Sequence, residues 1–221
     1  MVQQPLKISI VTPSFNQGAF IEEAVRSVVA QGYPDVEHII VDNCSDDETA
    51  VILAKYPHLK IIREPDKGQS DALNKGFRAA TGDIVGWLNA DDKYLPGCFE
   101  QIRRAFSAGP ERDIIYGDYR FVDARGELIR VRRELPFHMF TLKYLHVLHI
   151  PTTATFFKRK IFADGNFLDI DYHYAMDYEF FLRLALKGFR FGHIDGILAD
   201  FRWHADSKSQ TQGKRQHEEM E

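Results

Sequence analysis

Ile8-Ser9-Ile10-Val11-Thr12-Pro13-Ser14 decides how the chain is to be read. Ile8, Ile10 and Val11 make a short apolar strand that stops at Thr12-Pro13. Beyond it, Ile21, Val25, Val28 and Val29 recur at helical spacing, in a helix that ends before Gly32 and Pro34. Ile39-Ile40-Val41 forms a second β-branched strand ending at Asp42. A helix to about residue 55, a strand over 59–63, a helix over 70–80 and a strand over 84–88 complete the series. Strands that are apolar on both faces and alternate with helices predict an α/β fold with a parallel sheet covered on both sides. Ligands of such sheets bind beyond the carboxyl ends of the strands. Thr12-Pro13-Ser14, Asp42-Asn43, Glu64-Pro65-Asp66 and Asn89-Ala90-Asp91-Asp92 all lie there.

The second half changes character. Ile114-Ile115-Tyr116, residues 119–123 and residues 128–131 read as a strand and a hairpin turning at Ala124-Arg125-Gly126. A helical stretch over 137–145, a strand over 153–157 and a helix over 177–187 capped at Gly188 follow. Residues 207–221 are polar without apolar periodicity and read as a frayed tail. The 221 residues suit one domain in two lobes. Hydrophobic residues at 44% and charged residues at 27% exclude a disordered or fibrous chain. A net charge of −4 argues against a nucleic-acid partner. Cys44 and Cys98 are too few for a disulfide framework, which suits a reducing cytoplasm, and residues 1–7 do not read as a signal peptide.

Consecutive acids leaving a rigid strand at Asp91-Asp92 fit oxygen ligation of a hard cation, Mg²⁺ or Mn²⁺, or else a cap on the helix after Pro96. Thr12, Pro13, Ser14 and Asn16, with Asp42 and Asn43, put short hydrogen-bonding groups where a base and ribose would bind, although helix capping accounts for each singly. Residues 68–76, from Gly68 through Asp71 and Asn74, open a helix whose N–H groups favour anions. They match neither GxGxxG nor the P-loop, which disfavours a dinucleotide dehydrogenase or a P-loop NTPase.

Residues 8–16, 22–31 with Tyr33-Pro34, 41–46, 64–76 and 82–92 resemble, in order and spacing, the motifs of family-2 glycosyltransferases. Ile115-Tyr116-Gly117-Asp118, residues 165–169 and Met176-Asp177-Tyr178-Glu179 are similar to that family's acceptor-half motifs. The resemblance spans about 6–208. It implies the GT-A fold, a mixed, mainly parallel sheet flanked by helices, in a single domain: a nucleotide-sugar donor lobe over about 6–112 and an acceptor lobe over about 113–206. It further implies a nucleotide-diphospho-sugar donor, UDP-linked by first choice, a divalent metal, and inverting transfer of one sugar to a glycan or lipid-linked acceptor. Asp177 falls at the family's base position, with Glu179 beside it; from its place at the start of the helix alone, Asp177 reads equally as an N-cap. Asp118 and Thr152 are acceptor-side candidates. Thr12, Pro13, Ser14, Asn16, Asp42, Asn43, Asp66, Gly68, Asp71, Asn74, Asn89 and Ala90 are the expected donor contacts, and Asp91 the metal ligand. His204 reads as a further metal ligand or as a structural histidine. The expected place is the cytoplasm, at the inner face of the membrane when the acceptor is lipid-linked.

Two departures stand out. The family's DxD reads Asn89-Ala90-Asp91, and restoring the acid at 89 is expected to preserve donor binding. The processive QxxRW motif is missing, and Phe201-Arg202-Trp203-His204 resembles only its tail. Arg130-Val131-Arg132-Arg133 and Lys158-Arg159-Lys160 read as solvated faces, or as groups approaching the phosphates of a lipid-linked acceptor or an anionic bilayer. Two other classes remain open from sequence: a sugar-nucleotide nucleotidyltransferase, which lacks its Gly-rich basic loop here, and a non-catalytic sugar-nucleotide-binding module.

Overall fold

Strands β1 (Ile8–Ser14), β2 (Val36–Asp42), β3 (Lys60–Arg63) and β4 (Ile84–Trp87) lie parallel in the order β3-β2-β1-β4. Helices α1 (Ile21–Val29), α2 (Thr49–Leu53) and α3 (Gln69–Ala79) connect them. The computed structural model describes residues 6–108, 111–204 and 219. Apart from Glu219, the tail expected over 207–221 lies outside the described residues.

The second half adds β5 (Lys93–Tyr94), α4 (Cys98–Ser107), β6 (Ile114–Val122), β7 (Leu128–Arg132), α5 (Met139–Tyr144), β8 (Thr155–Lys158), α6 (Lys160–Ala163), α7 (Met176–Leu186) and β9 (Phe191–Arg202). One sheet takes all nine strands in the order β3-β2-β1-β4-β8-β6-β9-β5, with β7 paired to β6. β8 runs antiparallel to both β4 and β6, and β9 parallel to β6. The sheet is therefore mixed.

Ile8, Ile10, Ile84 and Phe156 bury one face of it against Ala24 and Val28 of α1 and Phe99 and Ile102 of α4. Val11, Ile39, Val41, Val85 and Phe157 bury the other against Leu73 and Phe77 of α3 and Phe180, Phe181 and Leu184 of α7. The contact of α3 with β1 is so close that a Cβ at Gly76 would overlap the side chain of Val11.

Four segments differ from the sequence reading. β1 does not stop at Thr12-Pro13 but runs through Pro13, opposite Val41, to Ser14. Leu88 N–H donates to Val11 O and Asn43 N–H to Ser14 O, so Pro13 faces the β4 side. There β4 has already ended at Trp87, and no ladder bond is lost to the missing N–H. Residues 114–122 form one strand and not two, with register shifts against β9 around Gly117 and Asp118. β5 and the twelve-residue β9 were not anticipated.

Candidate active site

A cavity of about 710 Å³ opens at the carboxyl ends of β1, β2 and β4, faced by the start of α7 and the end of β9. Such a volume falls in the range of about 300–1,000 Å³ usual for ligand sites. From the strand ends it is lined by Pro13, Ser14, Asn16, Asn43, Asp66, Gly68, Asn89, Ala90 and Asp91, and from the second half by Thr152, Asp177 and His204. Twelve of the residues singled out from sequence thus meet in one space.

The wall at β1 and β2 is held by side chains bonded to backbone. Asn16 N–H donates to Ser45 Oγ (2.9 Å), and Asp46 N–H to Asn16 Oδ1 (3.0 Å). Ser45 in turn bonds Asp42, whose carboxylate also meets Arg63. Asn16 and Cys44 sit at φ +53° and +52°, a conformation that Asn accepts readily and Cys adopts rarely. Behind β1, Thr12 is fully buried and hydrogen-bonds His38 across 2.9 Å. Burial pushes His38 down to about 3, so it stays neutral at physiological pH. Asp66 N–H donates to Asn43 Oδ1, Gly68 N–H to Asp66 Oδ1, and burial raises the Asp66 pKa.

The turn after β4 is the most interlocked part. Asp91 Oδ2 lies 3.0 Å from His204 Nε2, at the cavity wall. Asp92 points the other way and is buried, its carboxylate accepting from Thr153 Oγ, Arg202 N–H and Asn89 Nδ2. Burial, with the neighbouring Asp91 charge, raises the Asp92 pKa well above the carboxylate range. Arg202, 1% exposed, donates from Nε to Asp91 O, from Nη1 to Ala124 O and from Nη2 to Glu23. Its guanidinium also lies over the ring of Phe20, which packs against His204. The end of β9 is thereby bolted to the acidic turn.

Among the described residues, no group of three or more His, Cys, Asp or Glu is arranged to hold a metal. Asp91 and His204 offer two donors, which fits a hard cation that takes its remaining oxygens from substrate phosphates and water.

Asp177, also in the cavity wall, is the second residue of α7, so it is not the helix cap. Its Oδ1 accepts from Tyr178 N–H at 2.8 Å, and desolvation of the carboxyl pushes its pKa up to about 6. The N–H groups of Tyr174 and Ala175, just before α7, are taken by the Glu219 carboxylate.

Six sequence candidates lie off the cavity wall. Thr12 and Asp42 brace it from behind. Asp71 pairs with Lys75, Asn74 bonds the backbone of Leu168, Asp118 is buried against His193 and Glu134 N–H, and Glu179 pairs with Arg183. Sequence reasoning assigned no site role to Phe20, Gln69, Trp87, His173, Tyr174 or Phe201, which line the cavity, nor to Thr153 and Arg202 behind it. Gln69, Trp87, Phe201 and Arg202 lie within noted motifs; His38 and Thr153 carry no local signal.

A family model described as glycosyl transferase family 2 matches residues 9–165. The chain belongs to glycosyl transferase family 2. Glycosyltransferase Rv1514c of Mycobacterium tuberculosis is 35% identical over 186 residues, covering 81% of this chain and 69% of that protein. Glycosyltransferase alr2836 of Nostoc is 32% identical over 129 residues, covering 53% and 40%. Among solved structures, S. aureus TarS 1–349 in complex with UDP-GlcNAc superposes with a TM-score of 0.76 at 19% identity, covering 93% of this chain and 61% of that one. Mannosyltransferase PcManGT from Pyrobaculum calidifontis, in complex with GDP-Man and Mn²⁺, gives 0.68 at 19% identity, covering 90% and 57%. The likeness shows that this family-2 chain has the GT-A fold. It spans about three fifths of the length of these solved relatives.

Proposed function

We propose that this chain transfers one sugar from a nucleotide-diphospho-sugar, UDP-linked by first choice, to a hydroxyl of a glycan or lipid-linked acceptor, with inversion at the anomeric carbon. The carrying observation is that Asp177 and the Asp91–His204 pair line a single cavity. Residues of about 6–112 supply the donor side, where Pro13, Ser14, Asn16, Asn43, Asp66 and Gly68 receive the nucleotide. Residues of about 113–206 supply the acceptor side.

Asp91 and His204 are assigned to a divalent cation, Mn²⁺ or Mg²⁺, which on binding would offset the charge of the departing diphosphate. Asp177 takes the proton of the acceptor hydroxyl as its oxygen bonds the anomeric carbon and the nucleoside diphosphate leaves. A carboxylate with a pKa near 6 is well placed for this, because it is ionised at neutral pH yet basic enough to accept a proton. One displacement needs one base. The nucleotide sugars held in the TarS and PcManGT complexes support the donor class.

Release of UDP, dTDP or GDP from a panel of nucleotide sugars, with Mn²⁺ and a mixed acceptor pool, tests the proposal. Donor binding without release in any combination would make the chain a binding module, and failure to bind any nucleotide sugar would end the proposal.

A further inference from the structure

Eight of the fourteen large hydrophobic side chains that are exposed in the described residues fall within residues 128–147. Leu128, Ile129, Val131 and Leu135 belong to β7 and the segment after it, between 42% and 65% exposed. β7 is exposed on both faces and is paired only to β6. Phe140, Tyr144, Leu145 and Val147 belong to α5 and the turn behind it, and only Leu142 of that helix is buried.

Charge is concentrated on the same segment. Residues 124–148 hold five Lys and Arg against two Glu, in a chain whose net charge is −4. Two of the five are engaged, Arg132 with Glu134 and Arg133 with Asp118. Arg130 lies over the ring of Phe121, and Lys143 over the ring of Tyr144. Cations set on apolar and aromatic surface match the boundary between headgroups and acyl chains, where the stems and rings sit among apolar tails and the charges meet phosphates. A soluble partner of ordinary composition would bury such cations without a counter-charge.

The segment also stands beside the cavity. β7 pairs with Tyr119–Val122 of β6, and Val122 O accepts from Trp203 N–H, next to His204 of the cavity wall. From α5 the chain runs through Ile150 and Pro151 to Thr152, also in the wall. No helix among the described residues is long and apolar enough to cross a membrane, and the surface suits lying on one.

We propose that β7 and α5 form a docking surface for an anionic lipid bilayer, which holds the acceptor side of the cavity at the headgroup plane. Its purpose rests on the glycosyltransferase reading with a lipid-linked acceptor; its test needs neither donor nor acceptor. The full chain is mixed with vesicles of phosphatidylcholine containing one quarter phosphatidylglycerol, and separately with pure phosphatidylcholine. Each exposed cation contributes about a fivefold factor to partitioning onto an anionic surface. Wild-type protein should co-sediment with the anionic vesicles only, and lose that binding in about 1 M salt. Arg130→Glu with Lys143→Glu, and separately Phe140→Asp with Tyr144→Asp, should each weaken binding at least about tenfold. Both pairs should keep the wild-type melting temperature and donor affinity; should one fail to fold, the salt series on wild-type protein still decides. Equal binding to neutral vesicles, or no binding by folded wild-type protein, overturns the proposal. So does a concentration-dependent dimer in sedimentation that these substitutions abolish, since the face would then meet a second copy of the chain.

Discussion

Asn89 donates its side-chain amide to the buried carboxyl of Asp92 across 3.2 Å. Its carbonyl oxygen at the same time accepts from Trp87 Nε1 and Gln69 Nε2, both at 2.9 Å. The amide therefore serves as donor and acceptor together, which a carboxylate cannot do. From sequence, restoring an acid at this position is expected to preserve donor binding. The hydrogen bonds argue the reverse, because Asn89→Asp would set a second carboxylate against buried Asp92. Removing one partner of a buried polar group costs about 1–3 kcal/mol. The expected result is a lower melting temperature, by about 2–4 °C for each kcal/mol, with weaker donor binding. A variant that melts at or above the wild-type temperature would remove the Asn89–Asp92 bond from the account.

Asp177→Asn separates chemistry from architecture. If Asp177 takes the acceptor proton, turnover falls by about 10²–10⁴ while calorimetry gives an unchanged donor affinity. Because Asp177 is not the cap of α7, the amide isostere has no cap to disturb. Turnover within a few-fold of wild type would pass the assignment to another group.

The pH profile follows from the same carboxyl. A base must be unprotonated to act, so kcat should rise tenfold per pH unit below about 6 and level off above it. Stability moves oppositely. A carboxyl whose folded pKa is raised adds stability at low pH that is lost as pH climbs from the ordinary carboxylate range through about 6. Asp177→Asn should therefore lose the kinetic limb and melt no lower than wild type at neutral pH. A steep limb surviving in the variant would assign the titration elsewhere.

The cavity-wall pair sets the metal prediction. Asp91→Ala and His204→Ala should each abolish the Mn²⁺-dependent part of nucleotide affinity in a folded protein, as read by thermal shift with and without Mn²⁺. Losing one partner also frees the other from their 3.0 Å contact, so the double variant should lose little more than either single one. Strictly additive losses, or unchanged Mn²⁺ dependence in either variant, would count against a shared cation.

The first half was legible because its signals are local. Ile39-Ile40-Val41 is apolar on both faces, and β1, β2 and β4 run into short polar residues where the topology puts a site. β9 escaped notice for a physical reason. Its residues include Gly192, Gly196 and buried Asp200, whose carboxylate is taken by Arg120 eighty positions away, so neither alternation nor an apolar run marks it. The same holds for the supporting contacts: nothing in the neighbourhood of Thr12 announces His38 behind it. Many side chains that line the cavity were visible as motifs at strand ends. Those that hold them in place are fixed by distant partners and leave no local pattern.

The bolt between Arg202 and the Asp91-Asp92 turn spans about 110 positions of chain. A ribosome adding roughly 5–20 residues per second would deliver the two acids several seconds before the strand that receives them. Closing so long a loop is also the slow kind of contact in a folding reaction. Until β9 docks, Asp92 lacks its partner at Arg202 N–H, and its carboxyl must shed water as the strand arrives. A nascent chain released at residue 165 would hold the whole stretch matched by the family model and still have no assembled turn. Sugar transfer would then begin only with the last strand, and any loosening of that strand would silence the site while leaving the parallel half of the sheet folded.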